Sequence, residues 1–66
     1  MNFIEKARIR LEKWNTHNDH HREEYEMFAE QLEAAGKNKS SEHVRKMIAL
    51  MEECNGCLRD ALMDLE

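Results

Sequence analysis

Two histidines four residues apart, His17 and His21, and the chain's two cysteines three residues apart, Cys54 and Cys57, are the side chains whose types and spacing suit chemistry. Residues three or four apart share one face of a helix, so each pair presents its donor atoms together. Two thiolates at about 2.3 Å and two imidazole nitrogens at about 2.0 Å are a donor set that tetrahedral Zn2+ accepts. Nickel, cobalt or Cu(I) are alternatives, because thiolate and imidazole suit several borderline or soft ions and Met51 lies three residues before Cys54. With all four ligands from protein the site is closed, so the ion would hold helices together and activate no water.

Each of these residues has an ordinary explanation when taken singly. Free cysteine is a small buried residue, and His17, His20 and His21 in Thr16-His17-Asn18-Asp19-His20-His21 read equally as polar surface. A lone H-x-x-x-H or C-x-x-C on a helix is a weak signal. The metal reading therefore depends on whether the fold brings the two pairs to one level.

The elements that must do so are helices. Proline is absent, glycine occurs twice, and Glu, Lys, Arg, Ala, Leu and Met dominate the 66 residues. Steps of three and four run through Ile4, Ala7, Leu11, Trp14, Asn18, His21, Tyr25, Phe28, Leu32 and Ala35, and again through Val44, Met47, Met51, Cys54, Leu58, Ala61 and Leu65. Gly36 marks the first helix's end, and Ser40 or Ser41 is positioned to cap the second. The reading is all-α: one domain over residues 1–66, an antiparallel two-helix hairpin with helices over about 2–35 and 41–65 and a loop over about 36–40.

Ile48 and Leu62 flank the second seam on one side and Leu50 and Cys57 on the other, which is more apolar surface than one partner helix covers. A chain this short also buries only about 60% of its unfolded surface. Both points predict a homodimer in which two hairpins form a four-helix bundle.

With a loop midpoint near residue 38, Cys54 is expected opposite His21 or a neighbour of it, and Cys57 opposite His17 or Asn18. His21 and Cys54 then sit on the seams with His17 and Cys57 beside them. Asn18 has a separate explanation, as a seam amide that fixes register, and His20 points elsewhere on its helix.

Other functions find less support. Fourteen acidic and ten basic residues give a formal charge of -4, with the basic residues scattered among acids, which argues against nucleic-acid binding. No apolar run approaches the roughly 20 residues of a membrane span, and the first residues do not resemble a signal peptide, so the expected location is cytoplasmic. An intrahelical Cys54–Cys57 disulfide is disfavoured, because residues three apart on a helix hold their β-carbons about 5–6 Å apart. The paired Glu-x-x-His motifs of di-iron bundles, a Ser, His and Asp set and a glycine-rich phosphate loop are missing, so no enzyme is expected.

At Trp14-Asn15-Thr16-His17-Asn18-Asp19-His20-His21 the chain resembles a group of small, uncharacterised prokaryotic helical-hairpin domains carrying W-x-x-H-N-x-x-H, matched here by Trp14, His17, Asn18 and His21. The likeness continues through Tyr25, Phe28 and Ala29 and, more loosely, over Asn55 to Leu62. It implies a two-helix fold and a metal role for His17 and His21, without a named reaction. A cysteine pair is not part of that pattern, so the metal's identity does not carry over.

Two function classes follow. The first is a small metal-binding helical protein of structural, sensing or storage type. The second is a metal-free helical adaptor that homodimerises or docks on another protein, its histidines acting at most as a pH-sensitive patch, since imidazole ordinarily titrates near about pH 6.5.

Overall fold

The computed structural model describes residues 2–65, folded as two helices, α1 over Phe3–Ala34 and α2 over Asn38–Asp64, packed side by side in an antiparallel hairpin. Its extents are 51 × 16 × 11 Å. No helix among the described residues is long and apolar enough to cross a membrane.

Asn2 caps α1, its Oδ1 accepting from the Glu5 backbone N–H at 2.9 Å. At the other end Gly36 adopts a φ of +79°, and the Lys37 and Gly36 amides donate back to the carbonyls of Leu32 and Glu33 at 2.8 and 3.0 Å. That geometry satisfies carbonyls which the helix leaves free, and a residue with a β-carbon adopts it only under strain.

The second helix begins earlier than the sequence suggests. Lys37 takes the capping position, accepting from the Ser41 amide at 3.0 Å without a side-chain cap. Ser41 has another use: only 1% exposed, it donates its hydroxyl to Glu33 Oε1 at 2.9 Å. Arg45 Nε donates to the same oxygen at 2.8 Å. These two bonds hold the Glu33 carboxyl below the ordinary carboxylate range, and the carboxylate in turn holds the Arg45 guanidinium above its ordinary value.

Facing residues have numbers adding to 73 or 74, as in Asn18 with Asn55, Arg22 with Glu52 and Glu33 with Ser41. The hairpin midpoint therefore lies near residue 37, about one residue before the expected position.

The interface also uses one stripe of each helix that differs from the expected seam. Leu11, Asn18, Tyr25 and Leu32 do turn inward, but Ala29, with no exposed surface, replaces Phe28, and Asn15 and Arg22 are more sheltered than Trp14 and His17. On α2 the inward set is Ser41, Val44, Ile48, Met51, Asn55, Leu58, Leu62 and Leu65, so Ile48 and Asn55 stand where Met47 and Cys54 were expected. Steric economy explains the choice: Ala29 and Ser41 permit close approach near the loop, where Phe28 would hold the helices apart.

Candidate functional site

Midway along the hairpin the apolar core gives way to a polar layer. Asn55, 2% exposed, accepts from Asn18 Nδ2 at 3.1 Å and donates its own Nδ2–H to Asp19 Oδ1 at 3.1 Å. This accounts for an asparagine inside a helix: its amide locks one residue of α2 against two of α1 and so fixes the register. Gly56 beside it has no comparable role, since a β-carbon there would meet only the Arg59 side chain, at 3.9 Å. Asn18 was legible as a register residue; Asn55 and Asp19 were not, although an Asn-Gly pair in a helical run was a signal that something there needed an amide.

One face of this layer is ionic, with Arg22 Nη1 3.6 Å from Glu52 and Arg45 bound to Glu33. His21 lies on the opposite side. At about 100° per residue, His21 turns away from Arg22 and Cys54 turns away from Glu52, so in an antiparallel pair both point to the second broad face.

His17 and His21 are brought together there. Their Nε2 atoms are 2.8 Å apart and the rings meet edge to face, with centroids 4.3 Å apart. Tyr25 stacks on His21 at 5.9 Å, with 13° between the planes. Glu24 Oε2 lies 3.5 Å from His21 Nδ1. At 2.8 Å one of the two Nε2 atoms donates its proton to the other, while His21 Nδ1 is buried without a hydrogen-bond partner. His20 is held apart, 3.2 Å from Glu24 Oε1 and exposed.

Cys54 and Cys57 are free and exposed. The register sets them level with residues 16–20 of α1, as the metal reading requires. Their position across the helix differs from the expected one, because Asn55 occupies the seam: Cys54, about 100° round α2 from it, falls on the face that carries the histidines, and Cys57, about 160° round, lies beyond the edge of that face. The pairs do not close on each other: among the described residues no three His, Cys, Asp or Glu side chains form a group that could hold an ion.

The same side carries exposed large apolar side chains beside the charged Glu24 and Arg10: Trp14 and Phe28 are each 51% exposed, and Met47 and Leu50 are also open to solvent. Thus half of the stripe expected to seal the hairpin, Trp14 and Phe28 on α1 and Met47 and Cys54 on α2, instead lies uncovered.

No curated protein and no solved structure matches the chain. A family model described as "Domain of unknown function (DUF8180)" matches residues 7–65, a span containing the polar layer, both histidines of the close pair and both cysteines. The chain is a member of this DUF8180 family.

Proposed function

We infer that the chain is a small metal-binding helical module, with Zn2+ the default ion, His17 and His21 the nitrogen ligands and Cys54 and Cys57 the sulfur ligands. The observation that carries this reading is the convergence of the two Nε2 atoms to 2.8 Å on a mostly apolar face. A tetrahedral ion bound at about 2.0–2.1 Å needs its two nitrogens about 3.3 Å apart, which a small ring rotation supplies. Glu24 Oε2, 3.5 Å from His21 Nδ1, is near enough to become the outer-sphere carboxylate of a ligating imidazole after a small side-chain shift. The resemblance to hairpins with W-x-x-H-N-x-x-H supports the same two histidines. Four protein ligands make the role structural, sensing or storage, with no open position for catalysis, and free thiols suit a reducing compartment such as the cytoplasm.

The test is native mass spectrometry with elemental analysis of untagged protein purified under reducing conditions without chelator. One Zn2+ per chain is expected, lost in His21→Ala and in Cys57→Ser and retained in His20→Ala. Equal loss in all three, or in none, rejects the ligand assignment.

The exposed Trp14, Phe28, Met47 and Leu50 favour a second reading, a metal-free adaptor that homodimerises through this face. It predicts metal-free protein of unchanged stability in the presence of chelators.

A further inference from the structure

We propose that the metal site is completed between two copies of the chain: His17 and His21 of one hairpin bind an ion together with the partner's Cys54 and Cys57, and the two-fold relation makes two such sites per dimer. This rests on the metal-binding reading above and adds where the thiolates come from.

The first argument is geometric. His17, His21 and Cys54 fall on the same broad face, Cys57 lies about 60° further round α2, and among the described residues of one chain they form no group able to hold an ion. A two-fold axis parallel to the hairpin's long axis lays this face on its copy, places α1 against the partner's α2 and leaves every residue at its own level. The register that sets Asn18 opposite Asn55 then sets His17 and His21 across from the partner's Cys54 and Cys57. Ligands that lie side by side in one hairpin thus face each other in the pair.

Size and charge suit this occupant. At the same register Trp14 and Phe28 come within one or two residues of the level of the partner's Ala61 and the partner's Met47, so a large side chain lies near a smaller one. Residues 5–13 carry four basic and two acidic side chains and residues 19–33 one basic and six acidic; residues 37–46 carry four basic and one acidic, and residues 52–64 one basic and four acidic. Each helix runs from basic to acidic. Laying α1 antiparallel on the partner's α2 therefore opposes unlike charge at both ends, which favours a second copy. The broad face, 51 by 16 Å, is about 800 Å2 in outline, the area each partner contributes to a standard stable interface.

The experiment mixes two defective chains, one with His17→Ala and His21→Ala, the other with Cys54→Ser and Cys57→Ser, and uses Co2+ as the probe because its tetrahedral thiolate complexes absorb visible and near-ultraviolet light. Neither variant alone should give the wild-type spectrum. Their mixture should regain roughly a quarter to a half of the wild-type amplitude per chain, because each mixed dimer holds one complete site. A wild-type spectrum with no recovery on mixing would overturn the shared site and leave metal binding within one chain intact. A wild type that binds neither Co2+ nor Zn2+ would overturn the metal-binding reading and the shared site with it. Sedimentation of wild-type protein covers the case in which a variant fails to fold: an ion-bound dimer is expected, and an ion-bound monomer would refute the proposal.

Discussion

Replacing Asn55 by alanine removes the centre of the polar layer. The bond from Asn18 Nδ2 joins neutral groups and contributes about 0.5–1.5 kcal/mol, while the bond to the Asp19 carboxylate contributes about 1.5–3 kcal/mol. Alanine returns up to roughly 0.7 kcal/mol in helix propensity, and water reaching the half-buried Asn18 and Asp19 recovers part of the rest. A net loss of about 1.5–3 kcal/mol is expected, a large share of the roughly 3–10 kcal/mol typical of so short a domain. Urea denaturation followed by helical circular dichroism measures it, at one protein concentration because any self-association would shift the midpoint. A second substitution separates hydrogen bonding from shape. Asn55→Asp keeps the volume but sets one carboxylate against another, so it should cost more than alanine at neutral pH and less as the medium is acidified. A loss under about 0.5 kcal/mol for Asn55→Ala, or an Asn55→Asp variant as stable as wild type at neutral pH, would refute the assignment of register to this amide.

Gly56 lies inside α2 with space for a β-carbon, so Gly56→Ala should stabilise the hairpin by about 0.5–1 kcal/mol in the same urea assay. Glu33 is held below the ordinary carboxylate range chiefly by Arg45 and then Ser41, so its contribution is present above that range and lost as pH falls through the lower folded value; thermal melts on acidification should fall less steeply for Glu33→Gln than for wild type. Phe28→Asp places a charge on the apolar face away from the hairpin seam, and sedimentation should show it monomeric at concentrations where wild type is dimeric, with helix content retained.

The hairpin itself was legible because its determinants are local. Helix-forming composition, two stretches of heptads and a glycine between them leave few alternatives to two antiparallel helices. The loop was legible to within about three residues. Ser41 was read as a cap on propensity alone, whereas its hydroxyl serves Glu33 eight residues earlier, a tertiary bond that no local preference encodes. His17 and His21 were legible as a pair because their spacing is set by one helix, and the structure brings their nitrogens together.

Which stripe closes the hairpin was harder to read, for a reason that bears on function. Each helix carries three adjacent apolar or polar-seam stripes, and heptad periodicity fits either pair of neighbouring stripes equally well. On α1 the choice lies between Trp14, His21 and Phe28 and the stripe one residue later, Asn15, Arg22 and Ala29. Close approach and the Asn18, Asn55 and Asp19 bonds select the later stripe. The unused one does not become ordinary surface, since it carries Trp14 and Phe28 at half exposure beside the His17 and His21 pair. A sequence under pressure only to fold as a lone hairpin would gain solubility by placing charge there, as it does on the ionic face with Arg22, Glu33, Arg45 and Glu52. Keeping large apolar side chains there, with imidazoles between them, is the pattern of a helix with a second neighbour, and the ligands would then be completed by the contact that covers the stripe.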